Sequence, residues 1–158
     1  MPKILPITVY PDKLLRKKSI PVQFEPQRKK AREKLCADMA ATMLAKDGVG
    51  LAAPQIGLSI RLIVINTKDG VRYLFNPEIS KKSLGREWGE EGCLSVPNVF
   101  GQVKRAKSIS FSFADDNGGR HQEEASGFMA RVIQHEIDHL DGILFIDQAK
   151  ELKEMVRN

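Results

Sequence analysis

The run Gln134-His135-Glu136-Ile137-Asp138-His139 constrains this chain more than any other feature. It is set among Phe128, Met129, Val132, Ile133, Ile137 and Leu140, apolar residues that fall on nearly every side of one stretch. Such a stretch predicts a buried helix, with Ser126 as its N-cap, Leu140 near its end and Asp141-Gly142 as its stop. At about 100° per residue the two histidines lie roughly 40° apart, and Glu136 falls between about 60° and 100° from them. Burying these polar groups is costly unless something partners them. Two imidazoles one turn apart can grip a divalent metal, and a carboxylate beside them can move protons for water on that metal.

A third ligand must come from elsewhere. His121 is the only other histidine, and it stands beside a turn in a polar stretch, where exposure is expected. Cys93, in Glu91-Gly92-Cys93-Leu94-Ser95, is the better candidate. One cysteine and two histidines leave one of four tetrahedral positions open, the mark of a catalytic rather than a structural site. The chain's 2 cysteines exclude a disulfide framework, and Cys36 is expected to be a small buried hydrophobe. Gly48 to Gln55 forms a glycine-rich loop that permits close backbone approach to a ligand. Gln55 offers amide N–H donors for an oxyanion; no Lys-Ser/Thr follows, which excludes a phosphate loop.

With 158 residues the chain is expected to form one catalytic domain over 1–158. No apolar stretch approaches the ~18 residues that would cross a bilayer, so no membrane partner is expected. The opening residues have no apolar leader core or arginine-rich amphipathic run, which predicts a cytoplasmic protein. The net charge of +5 comes with basic clusters at Arg16–Lys18, Arg28–Lys30, Lys81-Lys82 and Lys104-Arg105. These read chiefly as solvated faces. Without an RNA-binding fingerprint or an aromatic platform, no direct nucleic-acid specificity is expected.

Ala31, Leu35, Met39 and Met43, with Cys36, Ala40 and Leu44 beside them, predict an amphipathic helix from about Gln27 to Lys46. Arg61–Asn66, with its continuous Leu-Ile-Val-Ile, predicts a buried strand, and Val71–Asn76 its hairpin partner. Trp88–Ser95 is expected to carry the cysteine, Ser108–Phe113 alternates as a half-buried strand, and His121–Glu124 returns after a turn. Ile143–Ile146 reads as a short extended piece and Glu151–Arg157 as a short polar helix.

Three motifs, Gly48–Gln55, Glu91–Ser95 and Gln134–His139, stand in the order and spacing of the peptide deformylase family, which the chain resembles from about Ile4 to Asp147. The resemblance implies an α+β fold, with antiparallel sheets around the central histidine-bearing helix. It implies hydrolysis of the N-formyl group from the formyl-methionine of nascent polypeptides, releasing formate. Cys93, His135 and His139 would bind one divalent ion, Fe²⁺ in most of the family, with Zn²⁺, Ni²⁺ or Co²⁺ able to replace it. Glu136 would serve as general base and acid, and Gln55 and the backbone N–H of Leu94 would hold the oxyanion. Gln134, Asp138 and Glu91 would support the ligands from behind. For the substrate, Val49, Phe128 and Val132 are candidates for an apolar methionine pocket, and Gly50 and Gly92 for backbone approach. Many members carry an arginine shortly after the cysteine motif, where this chain reads Pro97-Asn98-Val99-Phe100. Some dock on the ribosome surface through a C-terminal helix, and the tail after Asp147 here is brief.

Two rivals share part of this pattern. A metallopeptidase uses the same helical motif, usually with a third His or Glu. A closed zinc module on a ribosome- or RNA-binding scaffold needs a fourth protein ligand and has no use for Glu136 or Gln55.

Overall fold

A computed structural model describes residues 1–155. Helix α1 (Lys29–Ala45) follows an extended N-terminal segment and a 3-10 turn at Pro26–Arg28. Strands β1 (Gly50–Ala52), β2 (Leu62–Thr67) and β3 (Gly70–Lys82) come next, then β4 (Arg86–Cys93), β5 (Val96–Ala106), β6 (Ser108–Ala114) and β7 (Arg120–Ser126). Helix α2 (Gly127–Leu140) and strand β8 (Lys150–Glu154) complete the described residues. A five-stranded sheet has the order β1-β2-β3-β6-β7 and a three-stranded sheet the order β4-β5-β8, every pairing being antiparallel. This is the expected α+β architecture. No helix among the described residues is long and apolar enough to cross a membrane.

The continuous apolar run of β2 is explained by burial on both faces. Ile63 and Ile65, with Leu74 of β3, join Ile133, Ile137 and Leu140 of α2 in one core. Leu62 and Val64, with Phe75, face Cys36, Met39 and Met43 of α1 in another. The alternation of β6 sends Ile109, Phe111 and Phe113 inward beneath α2. A third core, with Leu15, Val96, Val103, Leu144 and Phe145, backs the three-stranded sheet.

Four expectations need correction. On α1, Ala31 and Leu44 are exposed, while Asp38 and Thr42 are buried. These polar side chains accept hydrogen bonds from the backbone N–H groups of Lys3 and Leu5, both at 2.8 Å, and so tie the N-terminal segment to the helix. Ile143–Ile146 is not extended throughout, because Phe145–Asp147 forms a 3-10 turn whose Asp147 carboxylate accepts from Leu144 N–H. Within Glu151–Arg157, the residues through Glu154 form a strand, since the exposed edge of β5 supplies backbone partners; 156–158 lie outside the described residues. Finally, β5 itself fills a stretch after Ser95 for which the sequence suggested no element.

Candidate metal centre

Helix α2 packs against strands of both sheets, and its motif meets the end of β4. Cys93 ends that strand, and Leu94 and Ser95 form the two-residue turn into β5. The ligand atoms of Cys93, His135 and His139 lie within 4.8 Å of one another. Cys93 Sγ is 3.2 Å from His139 Nε2. His121 is excluded from this cluster: it is exposed, bonded to Asp115 at 2.7 Å and stacked on Phe113. Cys36 is buried in the α1 core, where burial pushes its thiol up to about 12.

His135 is oriented from behind, its Nδ1 lying 2.8 Å from Glu91 Oε1. Glu91 is itself gripped by two buried arginines. Arg105 donates through Nε and Nη2, both at 2.9 Å, and Arg131 through Nη1 at 2.7 Å. Burial alone would raise the Glu91 carboxyl, but hydrogen bonds from Arg105 and His135 hold it well below the usual carboxylate range. Arg105 also pairs with Asp138, and Arg131 donates to the carbonyls of Val103 and Glu87. Gln134 bridges α2 to β5 through both the N–H and the carbonyl of Ala106.

The sequence reading missed Arg105 and Arg131. Lys104-Arg105 looked like a solvated pair, yet Arg105 is buried. Arg131 stands four residues before His135 in an otherwise apolar stretch, and that spacing was the available signal.

Glu136 lies beside the three donors, 4.0 Å from Oε1 to His139 Nε2. It is 2% exposed, and its Oε1 has no hydrogen-bond partner among the protein groups described. Burial pushes its carboxyl up to about 7, with His135 opposing. Burial also drives His139 well below its ordinary range, toward the neutral imidazole that ligates metals. Burial acts on His135 in the same sense, but the Cys93 sulfur and Glu91 outweigh it and raise this group. Negative groups that favour a cationic ring there favour a metal cation too. A sulfur and two imidazoles, converging beside an unpartnered buried carboxylate oxygen, fit a single divalent metal with one position left for water.

Gln55 lines the same cavity as Glu136. Its Oε1 accepts from Ala52 N–H at 2.9 Å, which turns Nε2 toward Ser95 Oγ at 3.2 Å and Cys93 Sγ at 3.4 Å. Both loops are held by the N-terminal segment: Thr8 N–H donates to Gln55 O and Tyr10 N–H to Ser95 O. Gly50 passes so close that a Cβ there would meet Glu136 Cγ at 2.8 Å, and a Cβ on Gly92 would meet the Phe100 ring at 2.6 Å.

These groups open into a cavity of about 740 Å³. Val49, Gly50, Gln55, Gly92, Cys93 and Leu94 line it together with Phe128, Val132, His135 and Glu136. Phe128 and Val49 are 64% and 45% exposed, which removes plain core packing as their explanation; Val132 is buried at the cavity wall. His139 is buried and does not line the cavity.

A family model for polypeptide deformylase matches residues 4–155. The chain belongs to the peptide deformylase family. Peptide deformylases are hydrolases that remove the N-formyl group from nascent peptides. A peptide deformylase of Syntrophomonas wolfei is 46% identical over 147 residues, 93% of each chain. The crystal structure of the Thermotoga maritima peptide deformylase superposes with a TM-score of 0.85 at 42% identity, over 93% of this chain and 98% of that one. A peptide deformylase of Acinetobacter baumannii with Met-Ala-Ser bound gives a TM-score of 0.89 at 36% identity, over 94% of this chain and 99% of that one.

Proposed function

We propose that this chain is a single metal-dependent catalytic domain that hydrolyses the formyl amide of N-formyl-methionyl nascent peptides and releases formate. The observation that carries the reading is the buried, unpartnered Glu136 carboxylate beside the Cys93–His135–His139 cluster. Cys93, His135 and His139 would hold one divalent ion, Fe²⁺ by family habit, with Zn²⁺, Ni²⁺ or Co²⁺ as substitutes. When bound, that ion supplies Lewis acidity and makes water acidic near neutral pH.

The remaining chemistry belongs to this chain's side chains. Glu136, with its carboxyl raised to about 7, suits a group that takes a proton from attacking water and returns it to the leaving amine. Gln55 Nε2, pinned by its own carbonyl contact, and the Leu94 N–H would meet the charge that gathers on the formyl oxygen. Each such donor is worth about 3 kcal/mol of barrier. Glu91, steered by Arg105 and Arg131, fixes the tautomer and tilt of His135. Val49, Phe128 and Val132 would receive the methionine side chain, while Gly50 and Gly92 let the substrate backbone approach closely. The Met-Ala-Ser complex of the Acinetobacter relative supports a peptide beginning with methionine as the occupant.

Such a substrate emerges at the ribosome surface in the cytoplasm, the expected setting and partner, with no nucleic-acid specificity of its own. The test is anaerobic purification, metal analysis and a formate-release assay on formyl-Met-Ala. One divalent ion per chain and formate without internal peptide cleavage are expected. Stoichiometric metal with no formate released overturns the reading.

A further inference from the structure

The C-terminal strand contributes a wall to the substrate cavity. On β4, Gly92 pairs with Phe100 of β5, and Phe100 pairs with Lys153 of β8. Continuing that register sets Asn98 opposite Met155, and Met155 N–H donates to Asn98 O at 2.7 Å. Asn98 stands two residues along β5 from Phe100, with a left-handed φ of 64°, so the row from Gly92 through Phe100 and Asn98 to Met155 crosses the small sheet with one step along β5. All four line the cavity. The row starts beside Cys93 and ends on a methionine that is 59% exposed, although its backbone is bonded. Phe100 and Met155 make this wall largely apolar.

We propose that Met155 is a specificity-determining residue that contacts the side chain two positions beyond the formyl-methionine and favours an apolar residue there. From β4 to β8 is two strand spacings, about 10 Å, and the step along β5 adds about 7 Å at right angles, so the ends stand about 12 Å apart, while an extended peptide advances about 3.3 Å per residue and its side chain reaches further. A chain with its formyl group at Cys93 that follows the row therefore reaches Met155 near its third residue. The inference rests on the deformylase reading of the site.

The experiment uses the metal-loaded enzyme with formyl-Met-Ala, formyl-Met-Ala-Leu and formyl-Met-Ala-Asp. The unaltered enzyme should favour Leu over Asp at position three by about three- to tenfold in kcat/KM, through KM, the scale of one or two buried methylenes. Met155→Ala should flatten that preference, and Met155→Leu should restore it. The substitution leaves the backbone bond to Asn98 in place, so the strand has no cause to detach. An unchanged preference in Met155→Ala overturns the proposal, as does an equal loss on all three peptides, which would make Met155 merely structural. No formate from any of the peptides with the unaltered enzyme overturns the deformylase reading itself, and this inference with it.

Discussion

Gly50→Ala adds one methyl group where it should do most harm to turnover and least to metal binding. Its Cβ would stand 2.8 Å from Glu136 Cγ, 2.9 Å from Oε2 and 3.0 Å from Cδ. Carbon atoms in ordinary contact sit about 3.5 Å apart or more, so the carboxylate must retreat by roughly 0.7 Å. Glu136 cannot swing into solvent, being 2% exposed, and the backbone of Gly50 has no positive φ to forbid alanine. The added methyl therefore displaces the side chain rather than the fold. A displacement approaching 1 Å at a catalytic group can cost about 10²-fold in rate. Overpacking costs about 1–3 kcal/mol, which at about 2–4 °C per kcal/mol lowers Tm by several degrees. The assay is kcat for formate release beside metal content and Tm. Gly48→Ala is the control, because its Cβ would find Leu94 Cδ1 at 3.3 Å and Met43 Cγ at 3.4 Å, neither in the cluster. Gly50→Ala should lose about two orders of magnitude in kcat with the metal retained, and Gly48→Ala far less. If Gly50→Ala turns over at the parent rate with its full complement of metal, the position of the Glu136 carboxylate does not govern the chemistry.

Three other substitutions bear on the site. Glu136→Ala should keep the metal and lose several orders of magnitude in turnover; metal loss with unfolding would make Glu136 structural instead. Cys93→Ala should lose the metal, read by elemental analysis, and full occupancy in that variant would remove Cys93 from the ligand set. Glu91→Leu leaves Arg105 and Arg131 without their shared buried carboxylate, and breaking such a network costs about 3–5 kcal/mol. A Tm within about 3 °C of the parent, where one kcal/mol is worth about 2–4 °C, would show that the arginines find other partners.

The parts of the site that could be read from sequence were those in which one local pattern carries both the fold and the chemistry. His135, Glu136 and His139 share a helix turn, so spacing alone puts them together. Cys93 was reachable by elimination, because the only other histidine stands at a polar turn and the only other cysteine on a core stripe. The two-sided burial of β2 was likewise written in Leu62–Ile65. Arg105 was not legible, since its burial depends on Glu91 and Asp138, 14 and 33 residues away. Nor was β5, whose Pro97, Gly101 and adjacent Lys104 and Arg105 break any period. Residues Glu151–Glu154 carry good helix formers, and local propensity misleads there because β5 offers an unpaired edge to which the tail can bond.

The extended opening segment lines no part of the substrate cavity, yet Thr8 and Tyr10 each donate a backbone hydrogen bond to a different active-site segment. It works as a clasp. Because main-chain atoms make the closure, altering the Thr8 or Tyr10 side chain leaves the fastening shut, whereas cutting the polypeptide after Tyr10 and letting the fragment go would free the carrier of Gln55 and the carrier of Cys93 together.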